Sequence, residues 1–322
     1  MPGICDSFQR GISYLRVSIT DRCNLRCIYC MPEEGVPLVL HGDILRFEEI
    51  LSVVQASVEM GINNIRITGG EPLVRTGVAD LIRMISSISG VREISMTTNG
   101  ILLAKYAQKL KEAGLHRINV SLDSLKKDRF TKITRTGELD DALKGINAAM
   151  KAGLDPVKVN MVPMKDINDD EIIDFARMTL HAGWHVRFIE LMPLNRNAEF
   201  VPSNIVRQKI ESLGTLTPYT RLAGNGAARY FRLPQARGTI GFISPLSEPF
   251  CKQCNRLRLS STGTLFPCLF SKQGMDIKTP IHRGANPEEI RSIILQAIAA
   301  KPQQHEFASG AIEDKNMSCI GG

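Results

Sequence analysis

Two kinds of apolar pattern alternate along the chain. Short runs rich in β-branched and other apolar residues are typical of buried strands, and longer stretches with apolar residues at helical spacing are typical of helices. The strand-like runs are residues 15–20, 64–68, 93–98, 117–122, 156–162 and 185–191. The helix-like stretches are residues 47–60, 77–89, 102–113, 140–152 and 169–182, each followed by a glycine at or near its end, as expected of a left-handed cap. The pattern predicts six βα units of a parallel α/β sheet with right-handed crossovers.

Polar residues and glycines cluster directly after the predicted strands. The clusters are residues 21–30, 69–71, 98–100, 123–124 and 192–193. Six parallel strands form either an open doubly wound sheet or an incomplete barrel, and the active sites of α/β barrels lie at the carboxyl ends of the strands. The clusters therefore predict one shared pocket.

The size and charge of the chain narrow the class of protein. Its 322 residues suit an α/β barrel with an extension, and a hydrophobic content of 43% is enough for a core. No apolar run reaches the roughly 18 residues of a membrane span, and residues 1–10 carry no targeting pattern, so we expect a reduced cytoplasmic protein without membrane association. The net charge of +7 favours an anionic partner, either a nucleotide or a nucleic acid.

Three cysteines follow the first predicted strand in a CxxxCxxC spacing, at Cys23, Cys27 and Cys30. Three thiolates can bind three irons of a cubane cluster and leave the fourth iron without a protein ligand, free for a small molecule. Zinc bound by these cysteines and His41 is the competing interpretation, although zinc sites more often use paired CxxC turns. Structural disulfides are not expected in a reduced compartment.

A second group of three cysteines lies near the C-terminus, at Cys251, Cys254 and Cys268. Taken alone, this spacing slightly favours zinc, with His282 as a fourth ligand. However, Arg256 and Arg258 follow at alternate positions. In an extended segment they share a face and point together toward one anion.

The CxxxCxxC loop, with Tyr29 before its last cysteine, resembles the signature of the radical S-adenosylmethionine superfamily. The resemblance implies a partial (β/α)6 TIM-like barrel and a 4Fe–4S cluster at the first triad, whose open iron binds S-adenosylmethionine and generates a 5'-deoxyadenosyl radical. The run 68–72, TGGEP, resembles the segment that binds the methionine amino group through Gly70. Further contacts to S-adenosylmethionine or substrate are expected at Ser121, Met192, Thr97 and Asn99, and Tyr29 is expected to lie against the cluster and the nucleoside.

The order of motifs from about residue 8 to 322 resembles the GTP 3',8-cyclase family of molybdenum cofactor biosynthesis. The motifs are DRCNxRCxYC, RITGGEP, TTNG, NVSLD, FIExMP, CxxCNRxR, the later cysteine and the terminal Gly321-Gly322. The resemblance implies a second 4Fe–4S cluster at the second triad, whose open iron holds the guanine of GTP. It predicts a partial-barrel core at residues 1–195 and an extension at 196–322 that carries the second cluster.

Four cations interrupt the apolar strand runs, at Arg16, Arg66, Lys158 and Arg187. Such residues are costly in a barrel interior unless an anion faces them, and a triphosphate brings about four negative charges. With Thr97, Arg256 and Arg258, they are the predicted GTP contacts. A competing interpretation pairs one or two of them with carboxylates such as Glu71, Asp123 and Glu190.

The family's reaction sets the expected mechanism and partners. The radical removes the C3' hydrogen of GTP, and the resulting C3' radical adds to C8. A further electron and a proton then give (8S)-3',8-cyclo-7,8-dihydroguanosine 5'-triphosphate. Arg256, Arg258, Gly321 and Gly322 are the expected catalytic residues, with the terminal glycines entering the active-site channel. We expect an external one-electron reductant such as flavodoxin or ferredoxin, a homodimer, no nucleic acid, and cyclic pyranopterin monophosphate synthase as the next enzyme. Cys5 and Cys319 are interpreted as free thiols.

Two other functions compete with this one. A radical maturase acting on a peptide or an RNA would usually carry a more cysteine-rich auxiliary domain or a nucleic-acid module, and neither is seen. A zinc-stabilised nucleic-acid-binding protein would use the positive charge, but one tryptophan and five tyrosines give little aromatic interleaving among the basic residues.

Overall fold

The computed structural model of the chain describes residues 3–192, 199–222 and 226–305. All six predicted strands are present and lie side by side in chain order, each parallel to the next. They are β1 Tyr14–Ser18, β2 Asn64–Thr68, β3 Glu93–Thr98, β4 Arg117–Ser121, β5 Val157–Met161 and β6 His185–Ile189. The predicted parallel α/β core is confirmed.

The helices of the described residues cover the crossovers between these strands. They are α1 Phe47–Glu59, α2 Val78–Ser86, α3 Leu103–Glu112, α4 Lys127–Thr134, α5 Leu139–Lys151, α6 Ile172–His181, α7 Ser203–Glu211, α8 Lys278–His282 and α9 Pro287–Ala299. The five predicted helices correspond to α1, α2, α3, α5 and α6. As predicted, the chain turns with positive φ at the glycine that follows each of them, for example Gly114. Helix α4 was not predicted, because only Phe130 and Ile133 among its eight residues are strongly apolar.

The C-terminal part of the chain extends the same sheet at both edges. Its strands are β7 Thr217–Pro218, β8 Arg229–Arg232, β9 Thr239–Ile243, β10 Arg256–Leu259, β11 Thr264–Phe266 and β12 Met275–Asp276. Strand β9 pairs parallel with β6, and β10 pairs parallel with β1. The outer strands are antiparallel, which gives the order β12-β11-β10-β1-β2-β3-β4-β5-β6-β9-β8-β7 in the described residues. The extension therefore supplies two strands of an eight-stranded parallel layer.

Residues 244–255 join the two opposite edges of that layer. A flat layer of eight strands is about 34 Å wide at roughly 4.8 Å per strand. The connecting segment contains turns and a 3-10 helix at Cys251–Gln253, so it falls short of its extended length. Arg16 on β1, Arg187 on β6 and Ile243 on β9 nevertheless line one cavity, so the sheet curls and brings its edges toward each other, as a partial barrel does. The segment that bridges the gap carries Cys251 and Cys254.

Alternate residues of the strands face the two sides of the curved layer. On β1, Leu15 and Val17 belong to the main hydrophobic core, whereas Arg16 lines an internal cavity. On β2, Ile65 and Ile67 are in the core and Arg66 lines the same cavity. Helices thus cover an apolar outside, and the inside is polar. None of the helices in the described ranges has the length and apolar character that crossing a bilayer requires.

Candidate active site

The first cysteine loop is anchored on α4. The backbone N–H of Arg26 donates to the carbonyl of Thr134 at 2.9 Å, and that of Ile28 donates to the carbonyl of Ile133 at 3.0 Å. Within the loop, the N–H of Cys30 donates to the carbonyl of Cys27 at 2.9 Å. The helix that the sequence did not predict is therefore the support that fixes the shape of the CxxxCxxC loop.

A buried glutamate connects the TGGEP and TTNG turns to this loop. Glu71 accepts hydrogen bonds from the N–H groups of Leu73 at 3.0 Å and Asn99 at 2.7 Å, and from the hydroxyl of Thr98 at 2.7 Å. The amide of Asn99 in turn donates to Asn24 Oδ1 at 2.8 Å. Burial raises the pKa of Glu71 to about 7, against the opposing effect of these hydrogen bonds. The carboxyl group thus organises three loops at one end of the sheet.

Gly70 is required by close packing against the cysteine loop. Its N–H donates to the carbonyl of Thr20 at 2.8 Å. A Cβ atom at Gly70 would lie 2.4 Å from the carbonyl oxygen of Arg22, which is far inside van der Waals contact. Any side chain here would displace the residue directly before Cys23.

Tyr29 is held by a buried aspartate. Its hydroxyl donates to Asp123 Oδ2 at 2.7 Å, and Asp123 Oδ1 accepts from the N–H of Val162 at 2.8 Å. Burial raises the pKa of Asp123 to about 6. Burial, followed by the charge of Asp123, also raises the pKa values of Tyr29 and Cys27 well above their ordinary range. The first triad therefore lies beside a buried acidic group, Asp123.

A cavity of about 270 Å³, here called the first cavity, opens beside the first triad. Its walls include the three predicted cluster ligands of the first triad, the four residues predicted to contact S-adenosylmethionine, and the predicted GTP contact on β3. These residues are Cys23, Cys27, Cys30, Tyr29, Gly70, Thr97, Ser121 and Met192. Asn99 lies there too. The structure brings together residues from five different strand ends.

A second cavity, of about 180 Å³, lies beside the other cysteines. Its walls include Cys251, Cys254, Cys268, Arg256 and Arg258. Six residues line both cavities, namely Arg16, Arg66, Arg187, Ile189, Met192 and Ile243. The two triads therefore face neighbouring spaces with three arginines between them.

Three of these arginines form a row across adjacent strands. Arg16 on β1 is in register with Arg258 on β10 and with Arg66 on β2. Burial, and then the charges of Arg258 and Arg66, lower the pKa of Arg16 well below its ordinary value. Burial lowers the pKa values of Arg66 and Arg258 to about 10. This concentration of buried positive charge favours an anionic ligand.

Two asparagines position Arg187. Its Nε donates to Asn160 Oδ1 at 2.8 Å, and its Nη2 donates to Asn119 Oδ1 at 2.7 Å. The sequence did not identify either asparagine as a functional residue. The signal that was available is that both are polar residues inside apolar strand runs. Asn160 is on β5, next to the strand of Arg187, and Asn119 is on β4, one strand further away.

Lys158 lies apart from the other predicted GTP contacts. It is buried, its Nζ is 5.2 Å from the centroid of the Tyr230 ring, and it is on the wall of neither cavity. Burial, followed by the charges of Arg117 and Arg187, lowers its pKa to about 6. A neighbouring anion would return it to the charged state.

The three carboxylates named as competing partners have other partners. Glu71 and Asp123 bind the groups described above, and Glu190 accepts from the N–H groups of Ser203, Leu246 and Ser247 at 3.0 Å. None of the three forms an ion pair with a predicted GTP contact in the described part of the chain. Arg117 on β4, which was not a predicted GTP contact, forms an ion pair with Glu93.

The two histidines proposed as zinc ligands lie elsewhere. His41 and His282 both line a third cavity of about 910 Å³ that contains neither triad, and His282 Nε2 is 2.7 Å from Glu49 Oε1. No three His, Cys, Asp or Glu side chains within the described ranges are arranged to hold a single metal ion. Separate, half-buried thiols facing a cavity fit a cluster in which each cysteine binds a different iron.

Every cysteine in the described ranges is a free thiol, as predicted for a reduced protein, and this includes the exposed Cys5. Cys319, Gly321 and Gly322 lie outside the described residues, so their predicted roles stay predictions.

Comparison with known proteins identifies the family to which the chain belongs. Residues 17–179 match the Radical SAM superfamily, and residues 184–307 match Molybdenum Cofactor Synthesis C. The GTP 3',8-cyclase of Pelotomaculum thermopropionicum is 50% identical over 323 residues, which cover 98% of this chain and 99% of that protein. The GTP 3',8-cyclase of Moorella thermoacetica is 50% identical over 321 residues, with 98% and 99% covered. The chain belongs to the GTP 3',8-cyclase family.

Membership of the GTP 3',8-cyclase family settles the class of reaction. The chain is a radical S-adenosylmethionine enzyme, a lyase that takes GTP through the first step of molybdenum cofactor biosynthesis. Its cofactors are two 4Fe–4S clusters, and S-adenosylmethionine is its co-substrate. The two free-thiol triads supply a donor set that suits these clusters.

Solved structures support the fold of this GTP 3',8-cyclase family member. Streptococcus suis SuiB bound to S-adenosylmethionine superposes with a TM-score of 0.62 at 14% identity, covering 87% of this chain and 68% of that one. SuiB bound to its precursor peptide SuiA gives a TM-score of 0.59 at 14% identity, covering 87% and 67%. The partial-barrel architecture is shared although the sequences have diverged.

Proposed function

We propose that the two cavities divide the reaction between them. The first triad, Cys23, Cys27 and Cys30, holds the cluster that binds S-adenosylmethionine, and the second triad holds the cluster that faces GTP. The observation that carries this division is the set of arginines lining both cavities, which places the densest positive charge between the two triads. In this proposal, residues 1–195 supply the radical-generating core, and residues 196–322 supply the second cluster.

The proposed S-adenosylmethionine site uses Tyr29, Gly70, Ser121 and Met192. All four line the first cavity. The N–H of Gly70 is already bonded to Thr20, which leaves its carbonyl oxygen as the group available to accept from the methionine amino group. Tyr29 is fixed by Asp123, so its ring provides a rigid wall beside the cluster and the nucleoside.

The proposed GTP site uses the buried cations and Thr97. Arg16, Arg66 and Arg187 face both cavities, and Arg256 and Arg258 belong to the second. Planar guanidinium groups bind phosphate oxygens through two parallel hydrogen bonds and keep their charge in a dry interior. Asn119 and Asn160 fix the direction of Arg187. Lys158, which lines neither cavity, is proposed to take up a proton and contribute its charge when GTP binds.

Positioning is the main task of these side chains. When bound, the first cluster and S-adenosylmethionine supply a 5'-deoxyadenosyl radical that removes the C3' hydrogen of the ribose. The arginines hold the phosphates and the second triad's side of the pocket holds the base, so that C3' is presented to the first cavity and then bonds to C8. Enclosure by the curled sheet keeps water and other hydrogen donors away.

The terminal residues Gly321 and Gly322 are proposed to enter the active-site channel. This rests on the resemblance of the C-terminal sequence to the family's double-glycine tail. Deleting both glycines, or adding a bulky residue after them, should abolish cyclisation while both clusters assemble normally. Full activity of a tail-deleted variant would refute the role.

The remaining partners are proposals from the family's chemistry. The reaction needs one electron to cleave S-adenosylmethionine and, after C3' has bonded to C8, a second electron with a proton. Protein side chains do not supply these electrons, so we propose an external one-electron reductant such as flavodoxin or ferredoxin. We propose cyclic pyranopterin monophosphate synthase as the next enzyme, a homodimeric assembly and a cytoplasmic location, where GTP and reductant are available.

One anaerobic reaction tests the proposed chemistry. The protein is incubated with reductant, S-adenosylmethionine and GTP deuterated at C3', and the 5'-deoxyadenosine formed is analysed by mass spectrometry. We expect deuterium in that product. If 5'-deoxyadenosine forms without deuterium while both clusters are intact, the C3' assignment is wrong.

A further inference from the structure

Lys301, directly after α9, is a buried cation outside every motif considered above. Only 3% of it is exposed. Its Nζ donates to the carbonyl oxygens of Arg256 at 2.8 Å and Pro267 at 2.9 Å, and to Cys254 Sγ at 3.4 Å. An ammonium group has three N–H donors and a neutral amine has two, so three acceptors match the charged form.

The three acceptors lie on the two chain segments that carry Cys254 and Cys268 of the second triad. Cys254 and Arg256 lie on the segment that enters β10, and Pro267 directly precedes Cys268. One side chain therefore fixes the two backbone segments that carry two of the three thiols, and it also contacts one thiol directly. Ligand-supporting hydrogen bonds of this kind orient metal ligands and tune the metal centre.

A second buried cation holds the neighbouring backbone in place. Arg10 donates to the carbonyl oxygens of Cys251 at 2.8 Å, Gln303 at 3.1 Å and Pro302 at 2.7 Å, and it pairs with Asp6 at 2.6 Å. Arg10 thus also links the segment that contains Lys301 to Cys251, the third cysteine of the triad. The Lys301 side chain has little freedom to leave Cys254.

We propose that Lys301 is a positioning residue of the second cluster, which donates a charged hydrogen bond to the Cys254 thiolate and raises the reduction potential of that cluster. The inference rests on the proposed function, because it takes the second triad as a cluster site. Reduction adds negative charge to a cluster, and a fixed positive charge beside a ligand sulfur stabilises the reduced form.

The alternative is that Lys301 only joins two carbonyl groups. In that case its loss would lower protein stability or cluster retention, but an assembled cluster would keep its potential. The midpoint potential is therefore the measurement that separates a tuning role from a purely structural role.

The experiment uses full-length protein in which Cys23, Cys27 and Cys30 are all replaced by serine, so that only the second cluster contributes. Three variants are made in this background: Lys301→Met, Lys301→Arg and, as a matched control, Lys252→Met. Lys252 is exposed on the same cysteine loop and also carries one positive charge. Midpoint potentials are measured by EPR-monitored redox titration.

We expect Lys301→Met to shift the midpoint potential to a more negative value, Lys301→Arg to restore most of the shift, and Lys252→Met to leave it unchanged. An assembled cluster in Lys301→Met with the potential of its parent overturns the proposal. An equal shift in Lys252→Met also overturns it, because general surface charge would then explain the result.

A second measurement does not depend on the Lys301→Met variant folding. Protein carrying ¹⁵N-labelled lysine is reduced and studied by pulsed EPR, where we expect a ¹⁵N coupling that persists in Lys252→Met and disappears in Lys301→Arg. Absence of the coupling in the parent overturns the proposal. If the triple-serine parent binds no iron–sulfur cluster at all, the proposed assignment of the second triad fails with it, and that outcome is recognised by iron analysis alone.

Discussion

The two cysteine triads have the same number of ligands and opposite electrostatic surroundings. Around the first, burial and then Asp123 raise the pKa of Cys27 well above its ordinary value. Around the second, burial acts to raise the pKa of Cys254, but the charges of Lys301 and Arg256, together with the hydrogen bonds that these two residues donate, leave it below its ordinary value. Cys27 of the first triad lies beside a carboxylate, and Cys254 of the second lies beside cations, whereas burial raises the pKa of Cys251.

This difference indicates that the spacing of the cysteines does not by itself determine how strongly a cluster reduces or which molecule it binds. An acidic surrounding disfavours added electrons, which makes a cluster a stronger reductant, and it complements the positive sulfonium of S-adenosylmethionine. A basic surrounding complements the phosphates of GTP. The protein thus assigns two similar ligand sets to different partners through the residues around them.

The largest effect is expected from removing one triad at a time. Cys27→Ser should lower the iron content from about eight to about four atoms per chain and abolish cleavage of S-adenosylmethionine. Cys254→Ser should lose a similar amount of iron and all cyclised product, yet still cleave S-adenosylmethionine. Iron analysis and measurement of 5'-deoxyadenosine check both variants. Loss of S-adenosylmethionine cleavage in Cys254→Ser would contradict the proposal that the two triads support separate parts of the reaction.

The next effect concerns the packing beneath the first triad. Gly70→Ala should force the loop before Cys23 to move, at a cost of about 1–3 kcal/mol, and should reduce retention of the first cluster. Gly42→Ala is the matched control, because a Cβ there has no neighbour within 4 Å. Iron content and the thermal midpoint report the change. Equal behaviour of the two variants would contradict the role of close packing.

A smaller effect is expected in the basic region. Arg258→Met should weaken GTP binding by roughly 10- to 100-fold, since a hydrogen bond to a charged group contributes about 1.5–3 kcal/mol. Binding of S-adenosylmethionine should change little. Lys165→Met, which removes an exposed lysine paired with Glu199, serves as the control. Calorimetric titration with each ligand would measure the two affinities. Equal weakening of GTP binding and of S-adenosylmethionine binding would contradict the assignment of the basic region to GTP.

The smallest predicted effect is the uptake of a proton by Lys158 when GTP binds. With a pKa of about 6, Lys158 is mainly neutral at pH 7.5 in the protein without GTP. Phosphate binding raises that pKa, so GTP should take up close to one proton, and its affinity should fall as the pH rises above about 6. Calorimetry in buffers of different ionisation enthalpy measures the uptake. Lys158→Met should abolish it, and uptake that persists in that variant would place the proton elsewhere.

Much of the fold and the site could be predicted because the signals are local. The alternation in β1 and β2 located the strands, and the cysteine spacing located both triads. Lys301 could not be predicted, because its role depends on atoms that are distant along the chain. Asn119 and Asn160 carried a local signal, as polar residues inside apolar strand runs, but their hydrogen bonds to Arg187 join strands that are distant along the chain. The same reason hid the places of β9 and β10 in the sheet. Arg256 and Arg258 were expected in an extended segment, but a short run does not reveal which edge of a sheet it will join.

The pairing of β9 with β6 and of β10 with β1 has a consequence for synthesis of the chain. Until residues 239–259 have left the ribosome, both edges of the six-stranded layer expose unpaired backbone groups, which are templates for aggregation. Only 12 residues separate the two strands that cover them. One short stretch of translation therefore protects both edges, and a nascent chain that stalls just before it is the form most in need of a chaperone.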